Sequence, residues 1–487
     1  MWLSLLIFLT ILCTSCNPLI DPCIDGTAAC LREDKWEGPI IAEEELDVLC
    51  EFDPKECGPL GPSQLINLAL QNNPVTYRTW ADARAAAFNW KASQSQLYPS
   101  VSWQTQLQFQ VQKFKDVDQD NPSGGGNTGQ NGGNGIITPS GFSVSQEPYN
   151  QLLIHDLFIN FLLVDFGGRS ASIDAAGHAL YVANWIHNRS LQDVVIRTLR
   201  AYYNYLQNQG LYTAQKENVE DAKITYESAK AQYEVGVRTI VDMLQTKANY
   251  VNAQLGLEQA WGNLKTAMGA LAASLGLPAN DQFEVLPLPE HLPIDQVNHC
   301  IDDLLQLAKD ARPDLAAAYA FYRQRQAELT VIRSNGLPTI TSEINYEWAN
   351  NIHFPQQNSR FRTATFSLNV PIFSGFLYVN QEKQAKELIE SAYADMQIKE
   401  SDIYLEVVSA YYAFITAGET VKYSQEFLQY AQESYNATLA GYQAGINTIT
   451  DLLNSQLTLA NARAQYIVSR TQWVTSLANL SYATGNL

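Results

Sequence analysis

The chain contains 487 residues, of which 46% are hydrophobic and 17% are charged, a composition typical of folded proteins. Its formal net charge of −19 argues against a nucleic-acid partner, because phosphate binding needs clustered Lys and Arg side chains. The sequence has no run of about 18 apolar residues and therefore predicts no transmembrane helix.

The chain begins with an apolar stretch, WLSLLIFLTILCTS, which is too short to span a bilayer and is typical of an export signal. We interpret residues 1–16 as this signal. Its end resembles the lipoprotein box of bacteria, because the small Ser15 precedes Cys16, and this predicts lipidation of Cys16, for example with palmitate. Cys13 replaces the usual Leu and no Lys or Arg precedes the apolar run, so an uncleaved or conventionally cleaved signal is the alternative.

Four cysteines follow in a predicted N-terminal extension, residues 17–62, as two C-x6-C pairs. Paired zinc ligands favour a spacing of about two to four residues, so disulfides are the better interpretation in an exported chain. Their connectivity stays open, and a loosely ordered tether is the alternative interpretation. The cysteines are Cys23, Cys30, Cys50 and Cys57.

No motif in the sequence predicts catalysis, a cofactor or a metal. A P-loop and a nucleophile elbow are both missing. His299 and Cys300, followed by Asp302 and Asp303, come nearest to a metal-ligand cluster, but the two acids fit the opening of a helix. The sequence therefore predicts a protein without enzyme activity.

Four stretches have the two-residue period of β-strands. In Val101 to Gln112 every second residue is Val, Trp, Thr, Leu or Phe, and Ser and Gln lie between them. Twelve residues suit a tilted membrane-spanning strand, whereas a soluble sandwich is the alternative. The other stretches are Leu152–Phe166, in which both faces carry apolar residues, Ile340–Trp348 and Thr365–Phe373.

Two features of these stretches bear on the membrane. Trp103, Tyr346 and Trp348 suit an interfacial aromatic girdle, although aromatic residues on a strand are also ordinary core. Between the first two strands, residues 119–141 contain eight Gly, which predicts a flexible loop. Because this polar loop joins two predicted membrane strands at the end opposite the helices, we expect it to face the cell exterior.

The remaining sequence has the periodicity of long helices that pack in coiled coils. Residues 169–235 would form a continuous helix of ~100 Å, and a second helical pattern follows to about Leu275. A second pair covers 378–444 and 448–482. The apolar seams are Val219, Ala222, Tyr226, Ala229 and Tyr233, then Leu244, Ala248, Val251 and Leu255, and in the second pair Leu428, Ala431, Tyr435, Thr438 and Tyr442.

A twelve-residue motif joins the helices of each pair. YEVGVRTIVDML recurs 209 residues later as YQAGINTITDLL, with six identical positions. Gly236 and Gly445 suit the left-handed conformation that ends a helix. Thr239 and Thr448 would cap the next helix, each with an Asp three residues on in a variant of the reciprocal capping box.

The chain is thus an internal duplication with an α+β fold. We predict a first repeat at 63–277, with a β-hairpin at 100–168 and a helical hairpin at 169–276. A linker covers 278–308. The second repeat, 309–487, has its β-hairpin at 338–375 and its helical hairpin at 376–485. Four amphipathic strands cannot close a membrane barrel, so several chains must share one.

Three duplicated features resemble the TolC family of outer-membrane efflux ducts over residues 64–487. They are the segments that lead into the strands, NP…LYPSVS and RP…GLPTITS, the Phe-x-Gly strand ends and the two Gly-x-x-Thr-x-x-Asp turns. The resemblance implies a homotrimer with a shared twelve-stranded outer-membrane β-barrel and a periplasmic α-barrel. It implies an exit duct of a tripartite efflux or type I secretion system, engaged by a periplasmic adaptor and an inner-membrane pump. An exported coiled-coil scaffold or adhesion protein with a soluble β-region is the alternative.

The resemblance also implies roles for the two helix turns. It places the adaptor contact at Val235, Gly236, Val237, Ala444, Gly445 and Ile446, whereas plain turn chemistry would explain the glycines alone. It places a periplasmic gate near Asp451 and Asp242, with Asn454 and Gln245 one turn further on, where relatives have a second acid. Arg238 is a candidate for a closing salt bridge, and helix capping is the alternative role of both acids.

Overall fold

A computed structural model describes residues 35, 59–111, 149–281, 283–289, 292–294, 300–352 and 358–487. The predicted signal with Cys16, the four paired cysteines, the loop at 119–141 and His299 lie outside the described residues. The predictions made for them stay predictions.

The described residues form two copies of one order of elements, namely two shorter helices, two strands and two long helices. The third helix of each copy has 67 residues and the fourth has 35. No helix in the described part of the chain is long and apolar enough to cross a membrane. The helices are α1 Pro62–Asn72, α2 Pro74–Ser93, α3 Gly168–Glu234, α4 Ile240–Ser274, α5 Ile301–Ala311, α6 Pro313–Asn335, α7 Leu377–Gln443 and α8 Ile449–Ala483, and the strands are β1 Ser100–Val111, β2 Tyr149–Val164, β3 Thr339–Asn351 and β4 Ser359–Asn369.

The chain divides into two compact units that cut across the two repeats. Of the described residues, the helical unit contains those up to Ala92 and those within Ile173–Glu328 and Gln384–Leu487, and the sheet unit contains those within Ser93–Ser172 and Leu329–Lys383. Each unit takes a segment from both repeats, because the β-hairpins of the two repeats pair with each other and not with the helices of their own repeat.

The sheet unit contains one antiparallel sheet in the order β1-β2-β3-β4. The described residues form no second sheet that could pack against it. Paired residues lie on the same side of a sheet, and the register therefore defines two faces. Members of the apolar face are Val101, Trp103, Leu107 and Phe109, then Leu153, Leu157 and Ile159, then Ile340, Ile344, Tyr346 and Trp348, then Ala364, Phe366 and Leu368.

The opposite, polar face carries the side chains of Gln104, Gln106 and Gln108 of β1. They lie beside Asp156 of β2 and Glu347 of β3, which pair directly with each other. Phe158 also lies on this face, which explains why the sequence of β2 alternates only weakly. The register thus assigns a side to each residue of β2 from Gln151 to Leu162, which the sequence did not.

The predicted position of the fourth strand, Thr365–Phe373, is wrong at both ends. Strand β4 begins at Ser359 and ends at Asn369, which pairs with Thr339, the first residue of β3. Pro371 follows and has no N–H to donate, so the ladder stops there. The start was missed because Arg360 and Arg362 interrupt the apolar pattern.

The helical unit contains several apolar clusters, and one of them lies next to the helix turns. Ala431, Tyr435 and Tyr442 of α7 are at most 4% exposed and pack against Ile449, Leu452 and Leu459 of α8. This confirms the seam predicted for the second repeat.

The residues predicted as an apolar seam of α4 do not pack against other helices of the same chain, so this prediction is wrong for the single chain. Leu244, Val251 and Leu255 are between 53% and 57% exposed, whereas Thr246 is fully buried. The apolar row of α4 points away from the chain's own helices, because the side of α4 that faces α8 carries polar residues, with Asn249 donating to Gln456 at 3.0 Å.

Candidate functional site

Two turns end the long helices α3 and α7, and we name them turn 1, residues 235–239, and turn 2, residues 444–448. Gly236 has φ +80° and Gly445 has φ +81°, with open space around the position of an added Cβ. Only the backbone conformation therefore requires glycine. Each turn closes with an N–H that donates back across the helix end, from Val237 to Gln232 O at 2.9 Å in turn 1. This confirms the predicted left-handed helix ends.

The reciprocal capping predicted for both turns forms completely only in turn 2. There the Asp451 N–H donates to Thr448 Oγ1 at 3.2 Å, and the Thr448 N–H and hydroxyl donate to Asp451 Oδ2 at 3.1 and 2.6 Å. In turn 1 only the Asp242 N–H donates to Thr239 Oγ1, at 3.3 Å. The Asp242 carboxylate accepts no hydrogen bond from Thr239, so the capping box of turn 1 is incomplete.

The Asp451 carboxylate is exposed, and its pKa lies below the usual value of 3.8, because the hydroxyl and N–H of Thr448 both donate to its charged form. Asp451 is therefore a negatively charged group at neutral pH. It combines a helix cap with a solvent-facing charge, so the cap and gate roles are compatible in one side chain.

Arg238 of turn 1 joins the two turns. Its guanidinium lies 4.9 Å from the centre of the Tyr442 ring and donates to the backbone oxygen of Asn447 at 3.1 Å. It also donates to the side chain of Gln232, in the last turn of α3, at 3.3 Å. Burial raises the pKa of the Tyr442 hydroxyl, the Arg238 charge opposes this and the Asp242 charge adds to it. No salt bridge to an acid in the described chain accompanies this contact, so Arg238 holds the turns by a cation–π contact and a carbonyl.

The turns present exposed apolar side chains. Val235 is 73% exposed, Val237 is 66% exposed and Ile446 is 79% exposed. Ala444 is exposed beside them. Gln245 and Asn454, one turn beyond the two acids, are exposed as well. Sequence reasoning named all of these residues but missed Tyr442 and Asn447 as the partners of Arg238, because only the fold brings residues 209 positions apart together.

Comparisons with known proteins agree with this architecture. The family Outer membrane efflux protein matches residues 65–277 and 304–486. Protein CyaE of Bordetella pertussis is 29% identical over 248 residues, and the match spans 49% of each chain, so the chain covers about half the length of this relative.

Solved structures share the fold at low sequence identity. The Campylobacter jejuni CmeC outer membrane channel has a TM-score of 0.72 and 17% identity, over 87% of this chain and 85% of that one. The outer membrane protein VceC of Vibrio cholerae has a TM-score of 0.71 and 16% identity, over 87% and 96%. The MtrE outer membrane channel of Neisseria gonorrhoeae has a TM-score of 0.69 and 16% identity, over 87% and 88%. Because the family match covers both repeats and these structures share the fold, the chain belongs to the outer membrane efflux protein family.

Proposed function

We propose that this chain forms the outer-membrane exit duct of a tripartite efflux or type I secretion system and conducts substrates passively from a periplasmic adaptor and pump to the exterior. The observation that carries this proposal is the sheet, which has one apolar face and two unpaired edge strands, β1 and β4. A strand edge inside a membrane must be paired, and the edges of several chains can pair with one another.

In a homotrimer with a twelve-stranded barrel, the edge strands β1 and β4 of every chain would pair with edge strands of the neighbouring copies. The exposed row of Leu244, Val251 and Leu255 on α4 supports such an assembly, because an apolar row of this length needs a helix from another copy to cover it.

We further propose that lipidation of Cys16 anchors the N-terminus in the outer membrane, which substitution of Cys16 by Ala would test through loss of incorporated palmitate.

The function is tested by extraction and conductance. A barrel should resist carbonate extraction from membranes and the purified oligomer should conduct in a planar bilayer, whereas a peripheral scaffold would be washed off and would not conduct. Extraction of the wild type by carbonate would contradict the proposed channel.

The proposed gate is a ring of Asp451 side chains, one from each copy, with Asp242, Asn454 and Gln245 next to it and Arg238 holding the turns. The exposure of the Asp451 carboxylate and its lowered pKa support this role. A negative ring attracts cations and disfavours anions. Asn454 and Gln245, one turn further on, are uncharged and add nothing to the charge of this ring.

Asp451→Asn is expected to reduce cation selectivity and block by multivalent cations. Asparagine keeps the side-chain shape and can still cap the helix, so the oligomer should assemble. The pKa of Asp451 is depressed, so the carboxylate is charged at neutral pH, and this charge is lost as the pH falls through the folded pKa. Reversal potentials across a salt gradient measure the effect, and selectivity equal to that of the wild type at pH 7 would leave Asp451 as a cap alone.

We propose that a periplasmic adaptor binds the apolar surface of the two turns, formed by Val235, Gly236, Val237, Ala444, Gly445 and Ile446. Val237→Asp and Ile446→Asp should each weaken adaptor crosslinking by roughly tenfold or more, since they place a charge where apolar contact is needed. Both side chains point into solvent in the single chain, so folding should be unaffected. Leu457→Asp is the matched control, because Leu457 is 61% exposed on α8 outside the turns. Undiminished crosslinking in a folded oligomer would contradict this contact.

A further inference from the structure

The apolar face of the sheet carries positive charge at one end of β4. The register places Arg360 opposite Trp348 and Arg362 opposite Tyr346. Both arginines therefore lie on the same side as the Leu, Ile and Phe side chains of the four strands. An arginine on such a face needs a partner, because a charge buried in lipid without one is costly.

Aromatic rings surround this position. The His155 ring lies 5.0 Å from the Trp348 ring and 5.6 Å from the Trp103 ring, and the two Trp rings are 5.9 Å apart. The Arg362 guanidinium lies 5.3 Å from the centre of the Tyr346 ring. The rings form a continuous band from β1 to β3 that ends at the two arginines.

The anionic groups of the sheet lie on its other side. Glu347 pairs with Phe361, and Asp156 pairs with Glu347, so both carboxylates belong to the polar face. Within the part of the chain that the structure describes, neither Arg360 nor Arg362 forms an ion pair. Both side chains are exposed. Their charge is available to a ligand that approaches the apolar face.

The arginines mark a boundary along β4. Towards the C-terminal end of the strand, the same face continues with Ala364, Phe366 and Leu368, and on the N-terminal side Asn358 precedes the strand. The C-terminal end of β4 leads into α7, and the start of β3, which pairs with that end, follows α6. The arginines thus lie at the end of the β3–β4 hairpin farthest from its helix connections, whereas β1 and β2 continue six residues past this level. A cation on a lipid-facing strand is costly at the bilayer midplane and nearly neutral at the interface.

We propose that Arg360 and Arg362, together with the Tyr346 and Trp348 rings, bind the phosphate of an anionic lipid headgroup at the outer membrane surface. Guanidinium groups bind phosphate oxygens in a bidentate manner, and Tyr and Trp favour the headgroup level. The inference rests on the proposed channel function, because it requires the apolar face to lie in lipid.

Native mass spectrometry of the detergent-purified oligomer tests this site, with phosphatidylglycerol and phosphatidylcholine as probes. The wild type should retain phosphatidylglycerol in preference to phosphatidylcholine. Arg360→Gln with Arg362→Gln should lower the bound ratio of phosphatidylglycerol to phosphatidylcholine by about thirtyfold, because a basic residue near an anionic lipid surface usually contributes about 1 kcal/mol. Lys223→Gln with Lys230→Gln is the control, since it removes two exposed positive charges from the helical unit and should leave the ratio unchanged.

Several outcomes overturn the inference. An equal ratio in the wild type and the arginine variant, or an equal fall in the lysine control, would show that these arginines bind no headgroup. Displacement of the lipid by excess inorganic phosphate would assign the site to a free anion. If the double variant does not assemble, Arg362→Gln alone should lower the ratio by about fivefold. A wild type that carbonate extracts overturns the channel and this site together, whereas a conducting wild type without lipid preference overturns only the site.

Discussion

Arg312→Leu is expected to lower the free energy of unfolding by about 3–5 kcal/mol, the usual cost of breaking a buried ion pair from one side. The Arg312 side chain is 2% exposed and donates to both carboxylate oxygens of Asp314, at 3.0 and 2.8 Å. It also donates to Glu406 at 2.6 Å and to the Ala483 carbonyl at 3.1 Å. Leucine fills similar space but leaves the half-buried Asp314 carboxylate without its main donor, so the free energy of unfolding must fall.

The stabilisation by the Arg312–Asp314 ion pair should decrease as the pH falls. Burial raises the pKa of Asp314, but hydrogen bonds from Arg312 and the charges of Arg189, Arg312 and Lys399 outweigh it and hold the pKa below 3.8. The stabilisation is therefore present above pH 3.8 and is lost as the pH falls through the folded value. Thermal unfolding followed by circular dichroism, at one protein concentration, should show that acid destabilises the wild type more than Arg312→Leu.

The first repeat supplies the matched control for this prediction. Asn73 precedes Pro74 as Arg312 precedes Pro313, and it accepts from the Val75 N–H at 2.9 Å and donates to the Ser274 carbonyl at 3.2 Å. Asn73→Ala removes neutral hydrogen bonds and should cost only about 1–3 kcal/mol. Arg312→Lys should recover little, because an ammonium cannot make the bidentate contact. Equal losses for Asn73→Ala and Arg312→Leu would contradict the ion-pair argument.

The sequence predicted the elements of the fold wherever periodicity and turn chemistry agree. The duplicated Gly and Thr positions located the two helix turns, since a left-handed residue and a cap each need a particular side chain. Strand β1 was predicted to within one residue at each end, because its Gln and apolar residues alternate without interruption.

Long-range pairing is what the sequence did not reveal. Nothing local to Arg238 indicates the Tyr442 ring, and nothing in the apolar pattern of Leu244 and Leu255 shows that α4 turns this row away from its own chain. Strand β4 was shifted for a related reason. Its arginines broke the apolar pattern, whereas its true limits follow from the register with β3.

Arg238→Gln is expected to open the proposed duct, since it removes the contact between turn 1 and turn 2. The guanidinium contributes a cation–π contact with Tyr442 and a charged hydrogen bond to Asn447 O. Together these contribute about 2 kcal/mol at a half-buried site, which would raise the ratio of open to closed channels about thirtyfold. Single-channel recordings in planar bilayers should show longer openings and a larger mean conductance.

Two variants separate this contact from general effects of charge and packing. Arg200→Gln removes an equal charge from an exposed pair with Asn479, away from the turns, and should leave gating unchanged. Tyr442→Phe keeps the ring that the guanidinium contacts, and the buried Tyr442 hydroxyl has no hydrogen-bond partner among the described residues, so this variant should gate as the wild type does. Tyr442→Leu removes the aromatic ring and should open the channel, as Arg238→Gln does. If Arg238→Gln conducts like the wild type while Tyr442→Leu opens the channel, the turns are held by the packing of residue 442 and not by the arginine.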